Sequence, residues 1–82
     1  MKQSTRDIKN QEVLKKLGAR LRYFRINKNL GKTAEIAANN LDIQRSQYAR
    51  YESGNNLNFL TLVEILDKMD VSITEFFSEG FD

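Results

Sequence analysis

The 82-residue chain contains no cysteine, no histidine, no proline and no tryptophan. Without cysteine there are no disulfide staples and no thiolate metal sites. Without histidine the usual neutral-pH base and the commonest metal ligand are both missing. The lack of proline, with only four glycines, favours uninterrupted helices over a strand-and-turn architecture. No apolar run approaches the roughly 20 residues of a membrane span, and the N-terminus lacks an apolar signal core. The expected location is therefore cytoplasmic, with no membrane partner. No glycine-rich phosphate loop is present, and Glu64, Asp67 and Asp70 have the spacing of a solvated acidic face. These absences argue against an enzyme, and no cofactor, metal site or small-molecule substrate is evident.

What is present is enough for one small domain. A 40% hydrophobic content can fill a helical core, and 29% charged residues is ordinary for a globular chain. The net charge of +2 hides a polarised distribution. Residues 1–52 hold twelve Lys/Arg against five Asp/Glu, whereas residues 53–82 hold one Lys against six acids. That asymmetry points to an anionic partner for the first part, nucleic acid before membrane.

Periodicity predicts five helices and no strand, an all-α fold. Residues 1–9 are polar and aperiodic and are expected to form a flexible N-terminal arm. Asn10 is positioned to cap a first helix whose apolar stripe is Val13, Leu14, Leu17, Leu21 and Phe24. That helix is expected to end near Asn27–Asn29. Thr33 can cap a short second helix reaching Asn40, with small Ala34, Ala37 and Ala38 permitting close helix approach. Leu41-Asp42-Ile43 makes a sharp bend, and a third helix covers Gln44 to Ser53 before Gly54 ends it. Asn58 can cap a fourth helix with Phe59, Leu62, Val63, Leu66 and Met69 as its buried stripe. Ser72-Ile73-Thr74-Glu75 fits the capping-box pattern at the start of a fifth. The helical domain is expected over residues 10–78, with 79–82 a short C-terminal tail.

The third helix carries the strongest functional signal. Tyr48, Tyr51 and Glu52 share one helical face, leaving Arg45, Ser46, Ala49 and Arg50 on others. Such a helix buries aromatics inward and offers two guanidinium forks outward, which suit base edges and phosphates. By themselves these residues fit an ordinary amphipathic surface helix equally well. The preceding Ala-rich helix and bend supply the logic of a helix-turn-helix, in which one helix braces and the next enters the major groove.

From about Leu17 to Phe77 the chain resembles the XRE family, the lambda-repressor-like DNA-binding domains. The resemblance rests on Leu17 through Arg25, on Ala38 through Ile43, on Arg45 through Gly54, and on Phe59, Leu62, Val63, Ile65, Val71, Phe76 and Phe77. It implies a five-helix fold with the helix-turn-helix at helices 2 and 3, binding double-stranded DNA. It further implies that Arg45, Ser46 and Arg50 face base edges and that Gln44 and Gln47 hold phosphates. Arg25 and Glu52 match the pair that ties the first helix to the third. The connection before Ala34 is longer than the family pattern, and Ala34 stands where a phosphate-binding Gln is usual. Thr33 or Lys32 can replace it, and Asn55 is a further phosphate candidate.

The expected function is sequence-specific transcriptional regulation, as a repressor, by a homodimer. Leu60, Phe76, Phe77 and Phe81 are the candidate dimer residues. The alternative is a protein-interaction module or antitoxin component that retains the fold.

Overall fold

The computed structural model describes residues 5–82. Five α-helices occur in order: α1 Thr5–Asn27, α2 Ala34–Asn40, α3 Arg45–Glu52, α4 Phe59–Met69 and α5 Ile73–Phe77. No strand is present among the described residues, so the chain is all-α as expected.

Local side-chain chemistry sets the helix starts. Thr33, Gln44, Asn58 and Ser72 each have extended backbone and accept a hydrogen bond from the N–H three residues on. Each thereby satisfies one of the orphan donors of a first turn. Three of these caps follow from sequence, whereas Gln44 was assigned to the helix and to phosphate. Its Oε1 instead lies 2.6 Å from the Gln47 amide nitrogen.

Four of the five helix ends share one device. Asn29, Asp42, Gly54 and Asp70 all have positive φ. In each case the next residue's N–H returns to a carbonyl five positions back: Leu30 to Arg25, Ile43 to Ala38, Asn55 to Arg50 and Val71 to Leu66. This is the Schellman closure, and Asn and Asp tolerate its left-handed residue better than most side chains. Two of the non-glycine turns are also held by lysine. Lys68 Nζ donates to the Asp42 carbonyl and Lys28 Nζ to that of Asp70, both at 3.0 Å. The bend between α2 and α3 is thus a capped turn of fixed geometry.

Helix α1 begins earlier than its apolar stripe suggested. Residues 5–9, assigned to the arm, form its first turns, and residues 1–4 of that arm lie outside the described residues. Nothing between Thr5 and Gly18 interrupts a helix, and polar helix formers can extend it without a core contact. Val13 is consequently 53% exposed, because it lies on the overhanging part of α1 rather than over the core.

The core forms where α1, α2 and α3 pack together and α4 and α5 close over them. Leu21, Phe24, Ala37, Ala38, Tyr48, Leu62, Leu66 and Phe76 are all buried. On α4 the buried stripe is Leu62, Ile65, Leu66 and Met69, whereas Phe59 is exposed and Val63 half-buried. Phe59 is the first residue of α4, ahead of the turn that meets the core. Phe76 is fully buried and stacks on Phe24 at 6.0 Å, so it is core and not a dimer surface. The 79–82 tail folds back as well: Phe81 packs against the core, 6.0 Å from the Phe76 ring.

Candidate nucleic-acid interface

Helix α3 is held on α1 by two features. A Cβ at Gly18 would stand 2.5 Å from the Glu52 carbonyl oxygen and 2.6 Å from that of Tyr51. Only glycine therefore lets the two helices approach this closely. About two turns further along α1, Arg25 Nε donates to Glu52 Oε2 at 2.8 Å and Nη2 to Oε1 at 3.1 Å. Its remaining Nη1 donates to the Gly31 carbonyl at 3.0 Å. The pair is buried and bidentate, which fixes direction as well as distance. The Glu52 hydrogen bond raises the Arg25 pKa, against the opposing effect of burial.

Tyr48 lies beneath this pair. Its ring is fully buried, and its hydroxyl has no hydrogen-bond partner among the described residues. Burial, and then the neighbouring Glu52 carboxylate, push its pKa well above the ordinary 10.0. Tyr51 is also buried, but its hydroxyl is reached by Gln47 Nε2 at 2.7 Å. The two tyrosines thus anchor the inner face of α3.

The outer face carries Arg45, Ser46, Gln47 and Arg50, all exposed, with Ala49 half-buried among them. The side chains of Arg45 and Arg50 make no hydrogen bond or ion pair among the described residues, so both forks are free for a ligand. Ser46 is engaged locally, its hydroxyl 2.8 Å from Gln44 Nε2 and 3.0 Å from Gln44 Oε1. Asn55 Nδ2 donates to the Arg50 carbonyl at 3.1 Å, adding to the closure of α3. At the start of α2, Thr33 Oγ1 accepts from the Ile36 amide at 3.2 Å, and Lys32 beside it is exposed. The structure brings Arg45, Ser46, Arg50, Gln44 and Gln47 onto one short helix. Thr33 and Lys32 stand apart, at the entry to the helix that packs on it.

One cation of α1 is structural. Arg20 is buried, donating from Nε to the Phe76 carbonyl at 2.8 Å and from Nη2 to the Glu75 carbonyl at 2.9 Å. Its guanidinium also lies over the Tyr23 and Phe24 rings, at 4.7 and 4.6 Å. It ties α5 to α1, as Arg25 ties α3.

The sequence matches the helix-turn-helix family over residues 21–76. The chain belongs to that family. As a helix-turn-helix protein of the XRE, lambda-repressor-like kind it is a DNA-binding regulator, and its family is not one of enzymes. The matched span begins at Leu21 and ends at Phe76, the two core residues that bracket the packed helices. Neither a search of curated proteins nor one of solved structures returned a match. Among the described residues no helix is long and apolar enough to cross a membrane.

Proposed function

We propose that this helix-turn-helix protein is a repressor that places α3 in the major groove of an operator and occludes it. The observation that carries the reading is the pair of free guanidinium groups on the outer face of a helix held by Gly18 and Arg25–Glu52. A helix held this firmly brings its untethered forks to the base edges in a fixed register, and each good bidentate pair is worth about 1–3 kcal/mol. Arg45 and Arg50, with Ser46, read base edges. Gln44, Gln47, Thr33, Lys32 and Asn55 hold phosphates and set the register.

One such helix covers too little DNA for strong discrimination, which favours a symmetric homodimer on a two-fold site. Its reading helices would then lie about 34 Å apart, one turn of duplex. That distance is compatible with a protomer measuring 40 × 26 × 22 Å. Leu60 and Phe59 are 73% and 58% exposed at the start of α4, just beyond the loop that follows α3. Together they offer a second copy an apolar contact on the side where α3 ends.

The test is a titration with random duplex at two salt concentrations, followed by selection of sites from a randomised pool. Binding should be present at low salt and fall steeply as salt rises. Selected sites should be palindromic. Changing Arg50 to Ala should flatten the preference among operator variants, whereas changing Gln47 to Ala should weaken all sequences alike. Absence of binding at low salt would overturn the DNA reading, and uniform losses from both variants would overturn the division of roles.

A further inference from the structure

The C-terminal segment builds a surface that DNA binding does not use. Phe77 and Phe81 have ring centroids 5.0 Å apart, and both contact buried Phe76, at 4.9 and 6.0 Å. Phe77 is nevertheless 41% exposed, and Tyr23 of α1 is 44% exposed. Between Tyr23 and the Gly80 turn lies a shallow cleft of about 160 Å³, floored by Ala19 and Arg20. The aromatic rings are thus continuous with the core on one side and open to solvent on the other.

Three carboxylates rim these rings, beside two cations, Lys16 and Arg20, that line the cleft. Glu75, Glu79 and Asp82 are all exposed. The Glu75 and Asp82 carboxylates have no partner among the described residues, and Glu79 lies 3.9 Å from Arg20. The nearby cations are already engaged: Arg20 on backbone carbonyls and Lys16 Nζ on the Asp82 carbonyl oxygen. We propose that this aromatic floor with its acidic edge docks a basic, apolar helical segment of a partner protein.

Two arguments select that occupant. A second copy placed on this face by a two-fold axis would set carboxylates against carboxylates, which repel. Position gives the second argument. Gly18 and Arg25 point from α1 toward α3, and Lys16 and Tyr23 each lie two residues away from one of them. That is roughly 200° around the helix, so the aromatic surface faces away from α3. A partner bound there leaves the reading helix open, and its basic residues meet the acidic side of a polarised chain.

The test uses the intact chain, isotope-labelled, titrated with a synthetic amphipathic helix of Leu, Phe and Lys and with the same helix carrying Glu for Lys. The Lys peptide should shift the resonances of Tyr23, Phe77, Gly80 and Phe81 and leave α3 unmoved, while the Glu peptide should not bind. Reversing two exposed acids, Glu75→Lys with Glu79→Lys, should weaken the Lys peptide roughly tenfold and leave the α3 resonances unmoved. Equal binding of both peptides, shifts elsewhere on the chain, or no shift at low ionic strength would overturn the proposal. So would concentration-dependent self-association through the same residues. Loss of duplex binding in the parent with peptide binding intact would remove the DNA reading and leave this one standing.

Discussion

Removing Glu52 tests whether the Arg25–Glu52 pair holds the recognition helix. In Glu52→Ala, Arg25 loses both hydrogen bonds to the carboxylate, at 2.8 and 3.1 Å, and keeps only the Gly31 carbonyl at 3.0 Å. Both side chains are more than nine-tenths buried, so water cannot replace the carboxylate without opening the helix pair. Breaking such a pair from one side costs about 3–5 kcal/mol, much of it from the stranded charge. For a chain of this size total stability is about 4–12 kcal/mol, so the variant should be on the edge of unfolding. Arg25→Met strands the carboxylate instead and should lose a similar amount.

The informative protein is the double variant Arg25→Met, Glu52→Leu. With both charges gone nothing is left unpaired, and an apolar replacement of similar volume is often neutral in stability. Urea unfolding of the parent, both single variants and the double should therefore show strong coupling, the double being far more stable than the summed single losses imply. Its affinity for the selected operator should not recover in step. A flexible apolar contact restores packing without restoring the bidentate direction that aims α3. Single losses below about 1 kcal/mol, the range of exposed pairs, would refute the reasoning. Additive losses in the double would do so too.

Two further outcomes follow from buried groups. Tyr48→Phe removes a hydroxyl with no partner and should change stability at pH 7 by less than about 1 kcal/mol. Because the folded pKa of Tyr48 is raised above its ordinary 10.0, its contribution is fully present below that value and is lost as pH rises beyond it. The parent should thus weaken relative to Tyr48→Phe above pH 10, by up to about 1.4 kcal/mol per pH unit; a difference independent of pH in urea midpoints would contradict this. Arg20→Met removes the guanidinium from the aromatic rings and its donors from the Phe76 and Glu75 carbonyls. It should cost about 2–3 kcal/mol and speed amide exchange in α5 selectively, and a change within 0.5 kcal/mol would show that Arg20 does not hold that helix.

Features legible in the sequence depend on residues close along the chain. Thr33, Asn58 and Ser72 are caps because each needs only the N–H three residues ahead. Asn29 and Gly54 end their helices through contacts within five residues. The role of Arg20 is not legible locally, because its carbonyl partners are 55 and 56 positions away and nothing nearby distinguishes it from Arg22. Arg25 was placed correctly, but by family resemblance: its spacing from Glu52 has no local signature. Val13 and Phe59 were misassigned to the core for a different reason. Periodicity identifies which face of a helix is apolar and says nothing about how far the helix overhangs its neighbours.

The hydrogen bonds of the proposed interface residues leave room for a structural and a DNA-contacting role together. Thr33 and Gln44 cap α2 and α3 through oxygen acceptors. A phosphate requires donors, and capping leaves the Thr33 hydroxyl proton and an amide proton of Gln44 unused. Gln47 gives one amide proton to Tyr51 and retains a second, as Asn55 does after bonding the Arg50 carbonyl. Each side chain is therefore oriented by local hydrogen bonds, three of them for Gln44, while keeping a donor for the phosphate it is proposed to meet. Arg45 and Arg50 have no such tether. Their forks stay free to adapt to base edges while the helix beneath them is fixed by Gly18, Arg25 and Glu52. The division between fixed register and adaptable reading thus follows from which donors the fold leaves unspent.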